Sequence, residues 1–126
     1  MKKIIYTDKA PAPIGPYNQG VLTGNTLYTS GQIALNPVTM QLVMDSIEEE
    51  TKQVMENLKA VLEAAGMTFE NVIKTTIFIM NMGDFARINE VYGSYFNEKT
   101  APARETVQVD CLQKNVTIEI SMIAVK

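Results

Sequence analysis

Apolar residues recur along the chain with two different periods, and each period predicts a different kind of element. Between residues 46 and 66 they return every three or four positions, which predicts a helix. Ser46, with Glu49 three residues later, is the pattern of a helix start, and Gly66 is a typical stop. A second stripe of the same period follows Asp84, which we expect to cap a second helix.

Runs rich in β-branched residues and bounded by turn residues predict the strands. Gly24 and Asn25 separate two short runs, which is a hairpin signal. Residues 36–43 predict a turn and a further short strand, and residues 10–20, dense in Pro and Gly, predict a loop. The other strands are expected at 2–7, 71–80, 104–112 and 116–125, with the last two joined as a hairpin through 113–115.

Both faces of the predicted sheet carry apolar side chains. In the last strand, alternation places Ile118, Ile120 and Met122 on one face, and Ile123 and Val125 on the other. The strand at 71–80 shows the same feature, with Ile73, Ile77 and Ile79 on one side and Val72, Phe78 and Met80 on the other. Two helices cover only one face of a five- or six-stranded sheet, so the pattern predicts that another subunit covers the second face.

Composition narrows the possible functions. The 126 residues suit one domain, and 11 Lys and Arg against 14 Asp and Glu give a net charge of −3, which offers no broad positive field for nucleic acid. There is no histidine, which excludes a Ser–His or Cys–His catalytic pair and removes the commonest zinc ligand. One cysteine permits no internal disulfide, so a cytoplasmic location is expected, with neither a signal peptide nor a membrane span.

Arg104 lies inside a predicted strand, where an arginine needs a negative partner. In a hairpin with the last strand, alternation places Arg104 and Thr106 on the same face as Glu119 and Ser121. The residues of opposite parity, expected in the core, are Val107, Val109 and Cys111. Two interpretations remain open: a site for a small anion, or an ion-pair network at a subunit contact.

Other conspicuous side chains are expected to be structural. The acidic run 48–50 is typical of a solvated first helical turn, where negative charge is favourable to the helix dipole. Tyr92 and Tyr95 lie on the apolar stripe of the second helix and are expected in the core.

Several segments, taken in order and spacing, resemble the RidA (YjgF) family. They are APAPIGPYNQG, LYTSGQI, NPVT, NLKAVLEAAG, VIKTTIFI, DFARINEVYGSYF, APARETVQV and IEISMIAV. The similarity spans essentially the whole chain and implies a single RidA-like domain over residues 1–126. It also implies a chorismate-mutase-like α+β fold: a mixed sheet of about six strands with two helices on one face, in a homotrimer whose sheets form a central barrel.

The same resemblance implies an activity and its residues. Family members of the archetypal branch hydrolyse 2-iminobutanoate and 2-iminopropanoate to 2-oxo acids and ammonia, without metal or cofactor, in clefts between subunits. Arg104 matches the arginine that binds the substrate carboxylate, and Glu119 matches the glutamate that orients the attacking water. The further positions that match ligand contacts are Tyr17, Ser30, Gly31, Asn89 and Thr106.

The chain departs from the family pattern at three positions. Thr106 stands where many members carry a cysteine, Gln113 replaces a common proline, and Ser121 replaces a common glutamate.

Rival functions also remain open. The same arginine would serve a non-catalytic sensor of 2-oxo acids, and a surface-only interaction protein would not need it. A ribonuclease or translation inhibitor is disfavoured by the acidic charge and the lack of histidine.

Overall fold

Six strands form one mixed sheet in the computed structural model, which describes all 126 residues. They are β1 (Lys2–Ile5), β2 (Gly20–Thr23), β3 (Thr26–Thr29), β4 (Val72–Ile79), β5 (Ala103–Gln108) and β6 (Ile118–Val125). Their order in the sheet is β1-β2-β3-β6-β4-β5, and all neighbours are antiparallel except β4 and β5, which run parallel. With two helices against it, the sheet confirms the expected α+β fold class.

The first helix, α1 (Ile47–Ala64), begins and ends where the sequence predicts. The Ser46 hydroxyl accepts a hydrogen bond from the backbone N–H of Glu49 at 3.1 Å, which satisfies one of the free donors of the first turn. Gly66 has φ +73, a left-handed conformation that suits glycine just beyond a helix end.

The second helix, α2 (Phe85–Gly93), starts differently from the prediction. Asp84 has φ −86 and ψ −1 and makes no capping hydrogen bond, because the chain enters α2 through a short 3-10 turn. Asn81 caps that turn by accepting from the Gly83 backbone N–H at 2.8 Å. The Asp84 carboxylate lies instead 3.8 Å from the Arg87 guanidinium. The predicted capping role of Asp84 is therefore wrong.

The core lies between the two helices and the face of the sheet that they cover, here called the inner face. Alternate residues of β6 are buried on it, and they are Ile118, Ile120, Met122 and Ala124. Their partners include Ile77 and Ile79 of β4 and Val54, Leu58 and Leu62 of α1. The faces predicted for the last strand are thus confirmed.

A β-bulge reverses part of the prediction for β4. The register shifts between Val72 and Lys74, so one extra residue changes which side chains point inward. Val72 is buried in the core, whereas Ile73 is 53% exposed on the opposite face, here called the outer face. The assignment of Ile73 to the same side as Ile77 is wrong for this reason.

The predicted hairpin between β5 and β6 is also wrong. β5 is an edge strand that pairs only with β4, and β6 lies between β3 and β4. The order β4, α2, β5 is a parallel crossover, in which the helix returns the chain so that the next strand runs parallel. Cys111 therefore lies in the exposed connection after β5, not in the core, and Val107 is 42% exposed.

Two smaller predictions fail, one because a side chain finds a distant partner and the other because a loop pairs only with itself. Glu50 is only 2% exposed, since its carboxylate accepts from the backbone N–H of Thr117 at 2.9 Å and also from the Thr117 hydroxyl. Residues 36–43 form no strand, and their pairing is limited to one bridge between Leu35 and Leu42.

The outer face leaves large apolar side chains in contact with solvent. They are Ile4, Tyr28, Ile73 and Val107, which are 42–53% exposed. Such a surface on a sheet is typical of a subunit contact and is consistent with the oligomer, which stays a prediction. Neither helix is long and apolar enough to cross a membrane.

Gln19 organises the loop that precedes β2. Its side chain is 1% exposed, and its amide donates to the carbonyls of Thr7, Ala10 and Pro11 at 2.9–3.2 Å. Its carbonyl oxygen accepts from the Thr7 backbone N–H at 2.8 Å. One buried amide thus satisfies four backbone groups of a segment that has no secondary structure of its own.

We expect Gln19→Ala to lower the free energy of unfolding by about 2–3 kcal/mol, because it leaves several buried backbone groups without partners. Urea denaturation at fixed protein concentration measures this loss. Gln41→Ala, at an exposed position, is the matched control and should change stability by less than about 0.5 kcal/mol. Equal effects of the two substitutions would contradict the role given to Gln19.

Candidate functional site

Arg104 lies on β5 and points toward α2. It pairs in register with Thr75, a fully buried residue of the inner face. The Arg104 Nη1 donates to Asn89 Oδ1 at 2.5 Å. Its guanidinium also lies 5.4 Å from the ring centroid of Phe85 and 5.1 Å from that of Tyr92. One hydrogen bond and two aromatic rings therefore fix the plane of the guanidinium.

No carboxylate of the chain neutralises Arg104. The ion pairs within 4.0 Å are Lys74–Glu105, Arg87–Glu48 and Arg87–Asp84. Arg104 instead borders an open cleft of about 330 Å³, and the other residues that line it are Asn89, Tyr92, Gly93, Phe96, Glu98 and Ala101. A fixed guanidinium with free donors in a cleft can bind a carboxylate.

Tyr92 contributes to this cleft as a neutral ring. Its hydroxyl shares a 2.8 Å hydrogen bond with Thr75 Oγ1 inside the core. Burial raises the pKa of Tyr92, and the Thr75 hydrogen bond and the Arg104 charge oppose that rise only partly. The phenol therefore supplies a π face to Arg104 without cancelling its charge.

Phe85 and Tyr92 are the residues of this cluster that the sequence analysis missed. The apolar stripe of α2 placed Tyr92 in the core, which is correct, but a core residue also contacts Arg104. Phe85, Asn89 and Tyr92 follow at intervals of four and three residues and therefore share one side of the helix. That spacing, combined with a parallel β4–α2–β5 unit, is the signal that places them beside Arg104.

An ion pair fixes α2 against the start of α1. Arg87 donates to both carboxylate oxygens of Glu48, at 2.8 and 2.7 Å. This hydrogen bonding holds the pKa of Glu48 below its ordinary value. Both side chains are exposed, so the pair contributes little to stability, but its bidentate geometry restricts the orientation of the helix that carries Asn89.

Glu119 belongs to a second cluster on the outer face. It pairs in register with Phe78 and alternates with the buried residues of β6. Gly31 lies directly against it, since a Cβ on Gly31 would stand 2.5 Å from Glu119 Oε2. Gln113 Nε2 donates to the other carboxylate oxygen, Oε1, at 3.2 Å. The position of the carboxylate therefore depends on the absence of a side chain at Gly31.

Tyr17 and Ser30 lie in the same region as Gly31. The Ser30 backbone N–H donates to the backbone carbonyl of Gln19 at 3.0 Å, and the Ser30 hydroxyl donates to the backbone carbonyl of Asn18 at 2.5 Å. Tyr17 is 44% exposed and lines a cavity of about 20 Å³ together with Gly31 and Gln113. A polar cavity of that size has room for one water molecule.

The two clusters lie on opposite faces of the sheet. Thr106 shares the inner face with Arg104, because it pairs with the buried Ile77, whereas Ser121 shares the outer face with Glu119. Arg104 and Glu119 are two strands apart, which is roughly 10 Å across the sheet. The prediction that one hairpin face carries Arg104, Thr106, Glu119 and Ser121 together is wrong, since β5 joins the sheet beside β4.

The structure contains no cluster of side chains that is a candidate metal site. Groups of three or more cysteine, aspartate or glutamate side chains close enough to hold an ion are absent. Cys111 is exposed, in the connection after β5. The polar side chains of the two clusters include the Arg104 guanidinium, the Glu119 carboxylate and the amides of Asn89 and Gln113, and the Glu98 carboxylate also lines the cleft.

The family model for endoribonuclease L-PSP matches residues 7–126. The chain belongs to this family. A RutC family protein of Synechocystis is 52% identical over 98% of this chain and 95% of its own. The 2-iminobutanoate/2-iminopropanoate deaminase of the mouse is 46% identical over 100% of this chain and 93% of its own, and it connects the family with the RidA resemblance. The crystal structure of E. coli TdcF with bound serine superposes with a TM-score of 0.93 at 46% identity, covering 98% of both chains.

For this member of the L-PSP family, we expect a pH titration of tyrosine absorbance at 295 nm to contain a late portion from Tyr92 and Tyr95. Burial raises both pKa values, so these phenols ionise above the ordinary tyrosine pKa. Their contribution to stability is complete below that ordinary pKa and is lost as the pH rises above it.

Tyr92→Phe should remove part of the late absorbance rise. If Tyr92→Phe removes only early absorbance, the Tyr92 ring is not held neutral beside Arg104.

Proposed function

We propose that the protein hydrolyses 2-imino acids, such as 2-iminobutanoate and 2-iminopropanoate, to 2-oxo acids and ammonia. The observation that supports this most is Arg104, which is oriented by Asn89 and two rings, lacks a carboxylate partner and borders an open cleft. The name of the mouse relative supports the imine as substrate, and the serine bound to TdcF is likewise a small molecule with a carboxylate.

The proposed site combines the two clusters from different subunits. One chain holds Arg104 and Glu119 on opposite faces of its sheet, so a ligand bound to Arg104 meets Glu119 only if that glutamate comes from a neighbour. The exposed apolar side chains of the outer face favour such a neighbour. We propose a homotrimer, in which the Arg104 cluster of each subunit faces the Glu119 cluster of the next.

Each step of the proposed reaction uses a group that the chain contains. Arg104 binds the substrate carboxylate with charge-assisted hydrogen bonds. Glu119 accepts a proton from a water molecule as the water oxygen attacks the C2 carbon of the protonated imine. The C=N electron pair moves to nitrogen. Glu119 then returns this proton to the nitrogen of the tetrahedral adduct. Ammonia leaves as the adduct hydroxyl gives its proton to Glu119 and its oxygen forms the C=O bond of the 2-oxo acid, and the released ammonia takes up that last proton as ammonium. Acid–base assistance of this kind typically accelerates a reaction by about 10²–10⁴-fold.

The remaining residues have binding roles in this proposal. Tyr17 of the neighbouring subunit lines the proposed site between subunits, and the backbone at Ser30 and Gly31 of that neighbour contacts the ligand. Thr106, two residues beyond Arg104 on the inner face, offers a hydroxyl for a hydrogen bond. Without a histidine or another activating base beside it, Thr106 does not act as a nucleophile.

We expect Arg104 and Glu119 to have separable roles. Arg104→Ala should weaken binding of 2-oxobutanoate by roughly 1.5–3 kcal/mol, since a charged hydrogen bond is lost, and Arg104→Lys should restore it only in part. Glu119→Gln should lower the rate of imine hydrolysis by about 10²-fold or more with little effect on that binding. Calorimetry gives the affinities, and a coupled threonine dehydratase supplies the imine for the rates.

The control for these variants is Lys52→Ala, which removes an exposed cation of α1 outside both clusters. Reversed roles, with Glu119→Gln abolishing binding and Arg104→Ala retaining it, would refute the assignment. Binding of 2-oxobutanoate without any hydrolysis by the wild type would support the sensor instead of the deaminase.

We expect subunits carrying Arg104→Ala and Glu119→Gln to complement each other. Each variant alone lacks one half of every site. A mixed trimer restores about one intact site in three, where a wild-type Arg104 meets a wild-type Glu119 across a contact. Refolding the two inactive variants together should therefore recover activity that neither shows alone.

Sedimentation velocity on the same samples tests the trimer itself. A folded monomer at micromolar concentration would contradict the assembly. A trimer whose mixed forms remain inactive would show that both residues act within one subunit.

A further inference from the structure

We infer that Gln113 is a positioning residue that holds the Glu119 carboxylate for catalysis, an inference that rests on the function proposed above. Gln113 opens the 3-10 turn Gln113–Asn115, which is followed by Val116 and Thr117 and then by β6. Its Nε2 donates to Glu119 Oε1 at 3.2 Å, and no other side chain hydrogen-bonds to this carboxylate. No cation pairs with Glu119 either, since none of the three ion pairs includes it.

The chemistry of the pair determines which way the amide of Gln113 points. An ionised carboxylate only accepts hydrogen bonds, so the NH₂ group and not the carbonyl oxygen of Gln113 must face Glu119. The donor is also neutral. A lysine or arginine in this place would favour the charged form of the carboxylate and make it a weaker proton acceptor. An amide orients the carboxylate without adding a full positive charge.

The turn that begins at Gln113 has an uncommon backbone conformation. Lys114 and Asn115 have φ values of +55 and +57, two consecutive left-handed residues that are not glycine. The turn is closed by hydrogen bonds from the Asn115 N–H to the Leu112 carbonyl at 3.1 Å and from the Val116 N–H to the Gln113 carbonyl at 3.3 Å. Left-handed non-glycine residues are energetically unfavourable, and such conformations are concentrated at functional sites.

Gln113 and Gly31 together restrict the carboxylate from two sides. Gln113 holds Oε1, while Oε2 lies against Gly31, where a Cβ would stand only 2.5 Å away. Both residues also line the cavity of about 20 Å³ that Tyr17 borders, which has room for one water. Gln113 therefore connects the orientation of the proton acceptor with the place where a water molecule fits.

The test compares Gln113→Leu with the control Gln41→Leu, the same change at an exposed position outside the clusters. We expect Gln113→Leu to lower kcat for imine hydrolysis about tenfold, as the loss of one hydrogen bond to a charged group predicts, with KM nearly unchanged. In a Glu119→Gln background, the same substitution should change kcat by less than about twofold, because the residue acts through Glu119.

An unchanged kcat in Gln113→Leu would overturn the inference, as would an equal loss with and without Glu119→Gln. A readout independent of activity comes from the side-chain NH₂ signals of Gln113 in a ¹H–¹⁵N spectrum. Glu119→Ala should shift one of these two signals, and Gln41→Leu should not.

If the wild type hydrolyses no imine, the proposed function fails, and the NMR result still decides whether Gln113 holds Glu119. Gln113 signals that do not respond to Glu119→Ala would overturn the contact itself.

Discussion

The parallel pairing of β5 with β4 is the constraint on which the candidate site depends. Because α2 connects these strands, β5 is placed at the edge of the sheet with alternate side chains directed toward that helix. Arg104 thereby meets Asn89, Phe85 and Tyr92 instead of the carboxylate of Glu119. A single sheet thus keeps Arg104 and Glu119, the proposed anion-binding group and proton acceptor, on opposite faces, which makes association of chains a condition for the proposed reaction.

The surroundings of Arg104 keep its charge available. An arginine that is partly removed from water needs compensating contacts, and a carboxylate in the same chain would provide them most strongly. Here the contacts are an amide oxygen and two neutral rings, one of which carries a phenol whose pKa is raised by burial. These groups orient the guanidinium and offset part of its desolvation, while the free donors can still recognise the carboxylate of a ligand.

Local signals in the sequence located most of the helices and strands but did not identify which strands are neighbours in the sheet. Ser46 and Gly66 mark the two ends of α1 as predicted, and alternation along β6 predicted its inner and outer faces correctly. The partner of β5 could not be obtained from periodicity, because a strand has the same alternation of apolar and polar residues in a hairpin and in a parallel crossover. The bulge at Ile73 and the burial of Glu50 depend on residues far away in sequence. Strand alternation singled out Arg104 and Glu119, and the resemblance supplied their expected roles and the other site positions. The contacts of Phe85, Tyr92 and Gln113 required the geometry.

Glu119 and the exposed apolar side chains occupy the same outer face, and this connects assembly with chemistry in the proposed trimer. A subunit that covers Ile73 and Val107 would remove apolar surface from water, which favours association. The same cover would exclude water around Glu119 and strengthen its electrostatic interactions with a bound cationic imine. Within the free chain the carboxylate has only the Gln113 amide and the backbone at Gly31 to orient it. In the proposed trimer, association would therefore complete the cleft around a carboxylate that its own chain has already positioned.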